Sequence, residues 1–217
     1  MAKGKRVSEA VIKRLPRYYR YLGDLQAKGV TRVSSGELSS MMGLTASQIR
    51  QDLNCFGGFG QQGYGYTVEF LYHEIGNILG LNRELNCILI GAGNLGHAIA
   101  NYANFEKRGF HMTAVFDNNP EIIGKKIKNI PVSDVKQLSV YLSEHKVDIV
   151  MLAIPGVAVE KVIDIIYQSD IKGIWNFSYL DLKVPDHIAM VNVHLSDSLM
   201  TLAYKISEKE RAAEEQE

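Results

Sequence analysis

The hydrophobic and polar positions follow two different patterns, and the change between them falls near residue 80. Before it, apolar residues recur at helical spacing, as Val11, Leu15, Leu22 and Leu25 do, and they predict short helices. From residue 86 onwards, short apolar runs such as "CILI" and "IVMLAI" alternate with longer helix-like segments. Alternation of this kind predicts a parallel sheet with helices on both faces. We therefore expect an α/β protein with a separate N-terminal domain.

The N-terminal part is predicted to contain two short helices followed by a hairpin. Ser34 with Glu37, and Thr45 with Gln48, have the spacing of helix-capping pairs. The stretch "GGFGQQGYGYTV" interleaves glycines with aromatic residues, which suits a tight β-hairpin. Two helices joined by a short turn and followed by a hairpin make a winged helix-turn-helix, which we expect over residues 1–80.

The alternating pattern predicts a Rossmann-type, doubly wound parallel-sheet domain over residues 81–196. Its expected helices include residues 94–106, the segment "SDVKQLSVYLSEH" with Ser133 as its cap, and "GVAVEKVIDIIYQS" as one piece. The stretch "MVNVHL" is expected to add a last strand. Residues 197–217 are expected to form a closing helix, capped by Ser196 or Ser198, with an acidic end.

A glycine motif lies where a predicted strand meets a predicted helix, within "NCILIGAGNLGHAIANY". This spacing lets the chain turn tightly and lets its backbone approach a pyrophosphate. Asp117 follows 21 residues after Gly96, at the end of the next predicted strand, where an acid can bond ribose hydroxyls and repel a 2′-phosphate. We therefore expect a dinucleotide site that favours NAD+ and NADH over their phosphorylated forms. Its turn residues are Gly91, Ala92, Gly93, Asn94, Leu95 and Gly96.

The charge is distributed unevenly along a chain whose net charge is zero. Residues 1–50 hold ten Lys/Arg against three Asp/Glu, which suggests a polyanionic partner such as DNA. A solvated basic surface or a helical protein-interaction module would also fit this part of the chain. Under the DNA hypothesis, the second helix of the pair reads bases and the hairpin lies on the backbone or in a minor groove. The expected contact residues are Ser47, Gln48, Arg50 and Gln51 on the helix, with Gln61, Gln62 and Tyr64 on the wing.

The second domain is too small to hold a substrate domain beside its nucleotide fold, and its histidines form no recognisable catalytic pairing. We therefore expect no catalytic residues and a cofactor that acts as a signal. An apolar wall at "AIPGVAV", which contains Pro155, would favour the neutral ring of NADH. A small NAD-dependent oxidoreductase and a CoA-binding module remain the alternatives.

Cys55 and Cys87 are not spaced as metal ligands, so we expect no metal site. The apolar runs are too short to span a bilayer, and a cytoplasmic protein is expected.

Several longer motifs resemble those of the Rex family of redox-sensing transcriptional repressors, over essentially the full chain. They are "RLPRYYRYL", "SSGELSSMMGLTASQIRQDLNCFGGFGQQGYGYTV", "ILGLN", "IGAGNLGHAIANY", "FDNNP", "AIP", "KGIWNF" and "VNVHLSD". The resemblance implies a homodimer that binds palindromic operator DNA, represses genes of anaerobic and fermentative metabolism, and releases DNA when NADH binds. It also implies a domain-swapped C-terminal helix.

Carried over by position, the resemblance puts the pyrophosphate contacts on residues 91–96, the ribose acid on Asp117 and the nicotinamide near Pro155. It also implies a switch that reports the cofactor state through Arg20 and Tyr102. The aspartate that joins them in characterised members is replaced here by His194. Two further departures are Asn94, where some members have arginine, and Gln51, where the family has a lysine.

Overall fold

A computed structural model describes residues 7–61 and 64–215 and divides the chain into two compact units. The division falls between Arg83 and Glu84. Each unit has its own hydrophobic core and is described by itself. Among the described residues, no helix combines the length and the apolar character needed to cross a bilayer.

The N-terminal unit is a helix bundle with a small antiparallel sheet. Tyr18, Leu38, Ile49 and Leu71 are fully buried in its core. The three strands lie in the order β1-β3-β2, so the hairpin β2–β3 is extended by β1, a strand that the sequence pattern did not predict. The elements are α1 (Glu9–Ala27), β1 (Arg32–Val33), α2 (Ser35–Met42), α3 (Ala46–Asn54), β2 (Gly60–Gln61), β3 (Gly65–Thr67) and α4 (Val68–Ile78).

Local hydrogen bonds and one glycine set the ends of α2 and the start of α3. The Ser34 hydroxyl accepts from the Glu37 amide while the Glu37 carboxylate accepts from the Ser34 amide, which confirms the predicted capping box. Gly43 ends α2 in the left-handed conformation. Thr45 caps α3 by accepting from the amide of Gln48, but the Gln48 side chain does not return the bond.

The C-terminal unit is built on a seven-stranded sheet in the order β10-β9-β8-β4-β5-β7-β6, parallel except for β6. The predicted doubly wound sheet and its last strand are confirmed. The strands are β4 (Leu85–Ile90), β5 (Phe110–Asp117), β6 (Lys126–Ile127), β7 (Ile130–Asp134), β8 (Ile149–Leu152), β9 (Gly173–Asn176) and β10 (Ala189–Asn192). The helices are α5 (Asn94–Ala100), α6 (Leu138–Glu144), α7 (Gly156–Val159), α8 (Ile163–Tyr167) and α9 (Leu195–Glu214), with 3-10 turns at Glu106–Arg108 and Val135–Gln137.

Three predicted helices differ from the observed ones. The helix after the glycine motif stops at Ala100 instead of 106, and Phe105 lies beyond it, packed edge-on against Trp175. Ser133 is part of β7, and Asp134 caps the following turn by accepting from the amide of Lys136. The predicted helix "GVAVEKVIDIIYQS" is split into α7 and α8.

The last helix, α9, begins at Leu195, with His194 at the N-cap position and no side-chain cap bond. The predicted caps Ser196 and Ser198 lie inside the helix instead, and the hydroxyl of Ser198 donates to the carbonyl of Leu195. None of the described residues of α9 is buried.

One face of the sheet is left partly uncovered. Residues 177–188, which connect β9 to β10, form no helix, and their side chains Leu180, Leu182, Val184 and Ile188 pack in the core that contains Ile174, which leaves the sheet beside Trp175 open. The result is an apolar groove of about 400 Å³. Its lining includes Phe105, Ile149, Met151, Trp175 and Val191.

Candidate functional site

The glycine turn follows β4, and its glycines have different surroundings. Gly91 has a φ of 103°, and a side chain there would collide with the carbonyl of Ala153. A side chain at Gly96 would collide with the carbonyl of Gly91. At Gly93, in contrast, a Cβ atom would meet no heavy atom within 4 Å. Gly91 and Gly96 therefore allow the turn to fold, while Gly93 leaves its backbone open to a ligand.

Asp117 lies beside this turn, at the carboxyl end of β5. Its Oδ2 accepts a hydrogen bond from the amide of Ala92 at 2.6 Å, and its Oδ1 accepts from the amide of Asn119 at 2.8 Å. The side chain is half-buried. The structure thus brings Asp117 and the glycine turn together, with the carboxylate holding the turn from one side. The exposed residues of the turn, Gly93 and Asn94, remain accessible.

The carboxyl ends of β8 and β9 form a second edge of this region. Pro155 is exposed and precedes α7, and a side chain at Gly156 would lie 2.8 Å from Cγ of Leu180. The buried side chain of Asn176 donates to the carbonyl of Leu180 and to the Asn192 side chain. These contacts fix the loop after β9 against the end of β10.

His194 lies at the end of this loop system. Its ring stacks on Tyr179 with centroids 6.0 Å apart, and its Nδ1 lies 3.6 Å from Oδ2 of Asp197. Its Nε2 is buried and has no hydrogen-bond partner among the described residues. A buried ring nitrogen without a partner is unusual, because desolvation is then uncompensated. His194 therefore has one nitrogen available for a group that this chain's described residues do not supply.

The other two residues of the implied switch have partners of their own. The Tyr102 hydroxyl accepts from the side chain of Asn104 at 3.3 Å, and its ring packs against Phe105. Tyr102 remains 47% exposed. Arg20 belongs to the N-terminal unit, where it is exposed and lies over the ring of Tyr21.

In the N-terminal unit, α3 presents three of its four expected contact residues to solvent: Ser47, Arg50 and Gln51. Arg50 donates to the hydroxyl of Ser35 at 3.0 Å. Gln48 differs from the expectation. It is half-buried, and its side-chain amide donates to Oδ1 of Asp52 at 2.8 Å. The reason is the spacing i, i+4, which puts Asp52 one turn further along the same side of α3.

The wing, which is the hairpin β2–β3, is held by a residue that the sequence analysis did not single out. Arg32, on β1, donates through Nε to the carbonyl of Tyr64, and its guanidinium lies 5.9 Å from the Tyr64 ring centre. The Tyr64 side chain is 70% exposed. Gln61 pairs with Gly65 through the backbone. The side chain of Gln61 and all of Gln62 lie outside the described residues.

Two further observations concern chemistry. No group of three or more His, Cys, Asp or Glu residues suited to a metal ion occurs in the described part of the chain. Cys87 is fully buried, and burial raises the pKa of its thiol to about 12. At neutral pH this thiol is protonated and therefore a poor nucleophile.

Two family models match the chain. The first, "Putative DNA-binding protein N-terminus", matches residues 6–54, and the second, "CoA binding domain", matches residues 82–180. The first match covers the N-terminal helices α1 to α3, and the second covers the glycine turn.

Curated relatives match over nearly the full chain. The redox-sensing transcriptional repressor Rex of Clostridium botulinum strain Hall is 55% identical over 97% of this chain and 100% of its own. Rex of Clostridium tetani is 53% identical over the same shares.

Among solved structures, RSP in complex with β-NAD+ and operator DNA matches with a TM-score of 0.88 and 53% identity over 97% of both chains. RSP in complex with β-NADH matches with a TM-score of 0.88 and 50% identity, over 97% of this chain and 99% of that one. RSP is described as a Rex-family repressor. On the strength of these full-length similarities, the chain belongs to the Rex family of redox-sensing transcriptional repressors.

Proposed function

We propose that this protein is a cytoplasmic, homodimeric repressor that binds palindromic operator DNA and leaves it when NADH binds, so that genes of fermentative and anaerobic redox metabolism respond to the NADH/NAD+ ratio. The observation that carries the proposal is the presence in one chain of a winged helix with an exposed α3 and a glycine turn whose backbone is open at Gly93. The related RSP has been solved with NAD+ and operator DNA and with NADH. The protein is a regulator and not an enzyme.

For the cofactor, residues 91–96 would hold the pyrophosphate and Asp117 the adenosine ribose. The open space at Gly93 fits a phosphate approaching the backbone, and Asp117 lies next to the same turn. Its two oxygens can each accept more than one hydrogen bond, so the bonds to Ala92 and Asn119 leave capacity for ribose hydroxyls. Pro155 and the exposed Val157 would line the nicotinamide end.

For DNA, Ser47, Arg50 and Gln51 on α3 would face the major groove, because all three are exposed on one helix. Arg can form a two-pronged bond to guanine and Gln to adenine. The wing residues Gln61, Gln62 and Tyr64 would contact the backbone or a minor groove, with Arg32 holding the Tyr64 end in place.

A homodimer is supported by unpaired apolar surface on α9 and on the sheet. Six apolar side chains of α9 are about half or more exposed: Leu195, Leu199, Met200, Leu202, Tyr204 and Ile206. The groove lined by Met151 and Trp175 offers a complementary apolar surface. We propose that α9 packs on a second copy, because exposed patches of this kind mark interfaces. A two-fold dimer also matches the symmetry of a palindrome.

From the family resemblance we propose that Arg20, Tyr102 and His194 take part in a switch that reports the cofactor state. The unpartnered Nε2 of His194 supports this, because an imidazole can accept from or donate to a tyrosine hydroxyl. At this position an imidazole hydrogen bond would take the place of the carboxylate ion pair that the family's aspartate makes.

A gel-shift titration on palindromic operator DNA tests the function, with NADH, NAD+, NADPH and CoA in parallel arms. We expect release by NADH and retention with NAD+. Equal binding with NAD+ and saturating NADH would contradict the proposal. Release by CoA alone would favour a CoA module. Consumption of NADH with a simple carbonyl compound, followed by its absorbance, would favour an oxidoreductase.

A further inference from the structure

Asp52 is a fully buried carboxylate on α3 whose hydrogen bonds all come from side chains of the N-terminal unit. Arg14 on α1 donates through Nε at 2.6 Å to Oδ2 and through Nη2 at 2.7 Å to Oδ1. The Tyr18 hydroxyl donates to Oδ2 at 2.9 Å, and the Gln48 amide donates to Oδ1 at 2.8 Å. Each carboxylate oxygen therefore accepts two bonds. This network is the Asp52 cluster.

Both carboxylate oxygens of Asp52 have their hydrogen-bond partners, which explains how a charge can be kept in the core. Burial alone would raise the pKa of Asp52, but the bonds from Arg14, Gln48 and Tyr18 outweigh it and hold the pKa below its ordinary value. Asp52 therefore stays ionised at neutral pH. The Arg14 side chain is itself mostly buried, with 22% of it exposed.

The hydrogen bonds of the Asp52 cluster depend on direction, whereas the apolar packing of the rest of α3 does not. α3 has only nine residues, so its orientation must come from tertiary contacts. Its buried apolar side chains, Ile49 and Leu53, contribute burial that hardly depends on a small rotation of the helix. The two-pronged bond from Arg14 does depend on rotation, because both donors must remain aligned with one carboxylate.

From this geometry we propose that the Asp52 cluster fixes the rotation of α3 about its axis, and so decides which side chains meet the bases. The proposal rests on the proposed function of α3 as the DNA reader. Asp52 is then a positioning residue, and Gln48 supports it instead of reading a base. The expected consequence of disturbing the cluster is a loss of operator selectivity, with little change in affinity for unrelated DNA. Affinity for unrelated DNA depends on the attraction between exposed basic side chains and the DNA phosphates. The substitution at the buried Asp52 leaves those basic side chains on the surface as before.

The test compares Kd for operator and scrambled duplexes of equal length at one salt concentration. Asp52→Asn is expected to lower the ratio of the two affinities about tenfold or more, the scale of losing one or more base contacts. The matched control is Asp24→Asn, the same change at an exposed position of α1, which should leave the ratio unchanged. An unchanged ratio in a cooperatively unfolding Asp52→Asn protein would overturn the proposal. So would an equal fall in both affinities.

Two further pairs of variants decide the matter if Asp52→Asn does not fold. Arg14→Lys keeps the charge and loses one prong, so it should lower selectivity by less than Arg14→Met. Equal selectivity in both variants would overturn the proposal. Gln48→Ala should weaken discrimination at several operator positions, whereas Gln51→Ala, at an exposed position of the same helix, should relax only the base pairs that it contacts. A loss confined to one base pair in Gln48→Ala would identify Gln48 as a base reader and overturn the proposal.

The same measurements separate this inference from the function on which it rests. If the unsubstituted protein prefers the operator and the cluster variants do so equally, only the positioning role fails. If the unsubstituted protein shows no preference for a palindromic operator, the proposed function fails and the positioning role fails with it.

Discussion

The carboxylate of Asp117 accepts a hydrogen bond from the backbone amide of Ala92 at 2.6 Å. The residue proposed to bind ribose therefore also holds the turn proposed to bind pyrophosphate. The Asp117 carboxylate would therefore bind the ribose of the cofactor directly and position the turn that binds its pyrophosphate. A substitution at Asp117 consequently has two separable effects, one on the turn and one on the ligand.

Asp117→Ala should weaken NADH binding by about tenfold to a hundredfold, since it removes charge-assisted bonds of about 1.5–3 kcal/mol. Cofactor-free operator binding should be unchanged, because Asp117 lies in the other unit from α3. Fluorescence titration of NADH and a gel shift without cofactor measure the two effects. A collapse of operator affinity as well would show that Asp117 is structural.

Asp117→Asn is the matched variant for the same carboxylate. Its amide oxygen can still accept from the Ala92 amide, but the charge that repels a 2′-phosphate is gone. We expect the affinity ratio of NADPH to NADH to rise. A ratio equal to that of the unsubstituted protein would show that Asp117 does not face the ribose.

The glycines of the turn provide a second test, because only one of them faces open space. Gly96→Ala should destabilise the protein by about 1–3 kcal/mol, since its Cβ would collide with the carbonyl of Gly91. Gly93→Ala should change the free energy of unfolding by less than about 0.5 kcal/mol and yet weaken NADH binding, because its Cβ would occupy the approach to the backbone. Thermal unfolding and NADH titration of both variants measure this contrast. Normal NADH affinity in Gly93→Ala would place the pyrophosphate elsewhere.

These cases also show what the sequence alone could provide. The strand, turn and helix at the glycine motif and the capping box of Ser34 are local patterns, and the structure confirms both, whereas the cofactor role of Asp117 stays a prediction. Contacts between distant residues were missed, because nothing in the local pattern marks them. Arg14 and Asp52 are 38 residues apart, and Arg32 and Tyr64 are 32 apart. Gln48 was placed outward from its helical position alone, and only the three-dimensional contact with Asp52 shows its side chain turned to the core.

Arg50→Ala should weaken operator binding about tenfold and leave NADH affinity unchanged. Arg50 is exposed on α3, and one good two-pronged contact to a base is worth about 1–3 kcal/mol. Lys13→Ala is the control, because it removes one exposed charge whose pairing is with Glu9 on the same helix. Competition gel shifts with operator variants measure both. Equal operator affinity in Arg50→Ala would remove Arg50 from the reading surface.

Acid stability of the C-terminal unit should depend on Asp148. Burial alone would raise its pKa, but bonds from Lys172 and from the amide of Asn86 hold the pKa below its ordinary value. The stabilisation is therefore fully present above the unfolded pKa of about 3.9 and is lost as the pH falls through the lower folded pKa. Asp148→Asn should flatten the fall of Tm below about pH 5. The exposed Asp170→Asn should retain the fall, and an identical acid profile for Asp148→Asn would contradict the assignment.

The final prediction concerns the apolar side of α9. Leu199→Glu puts a charge among exposed apolar side chains that we propose to be covered by a second copy. Burying that charge without a partner would be strongly unfavourable, so the variant should sediment as a monomer. Operator affinity should fall with it, because a palindrome requires two joined reading helices.

Lys205→Glu, on the same helix at an exposed polar position, controls for added negative charge and should remain dimeric. A dimeric Leu199→Glu protein with normal operator affinity would show that α9 does not form the interface. A monomer that retained full operator affinity would separate dimer formation from operator recognition.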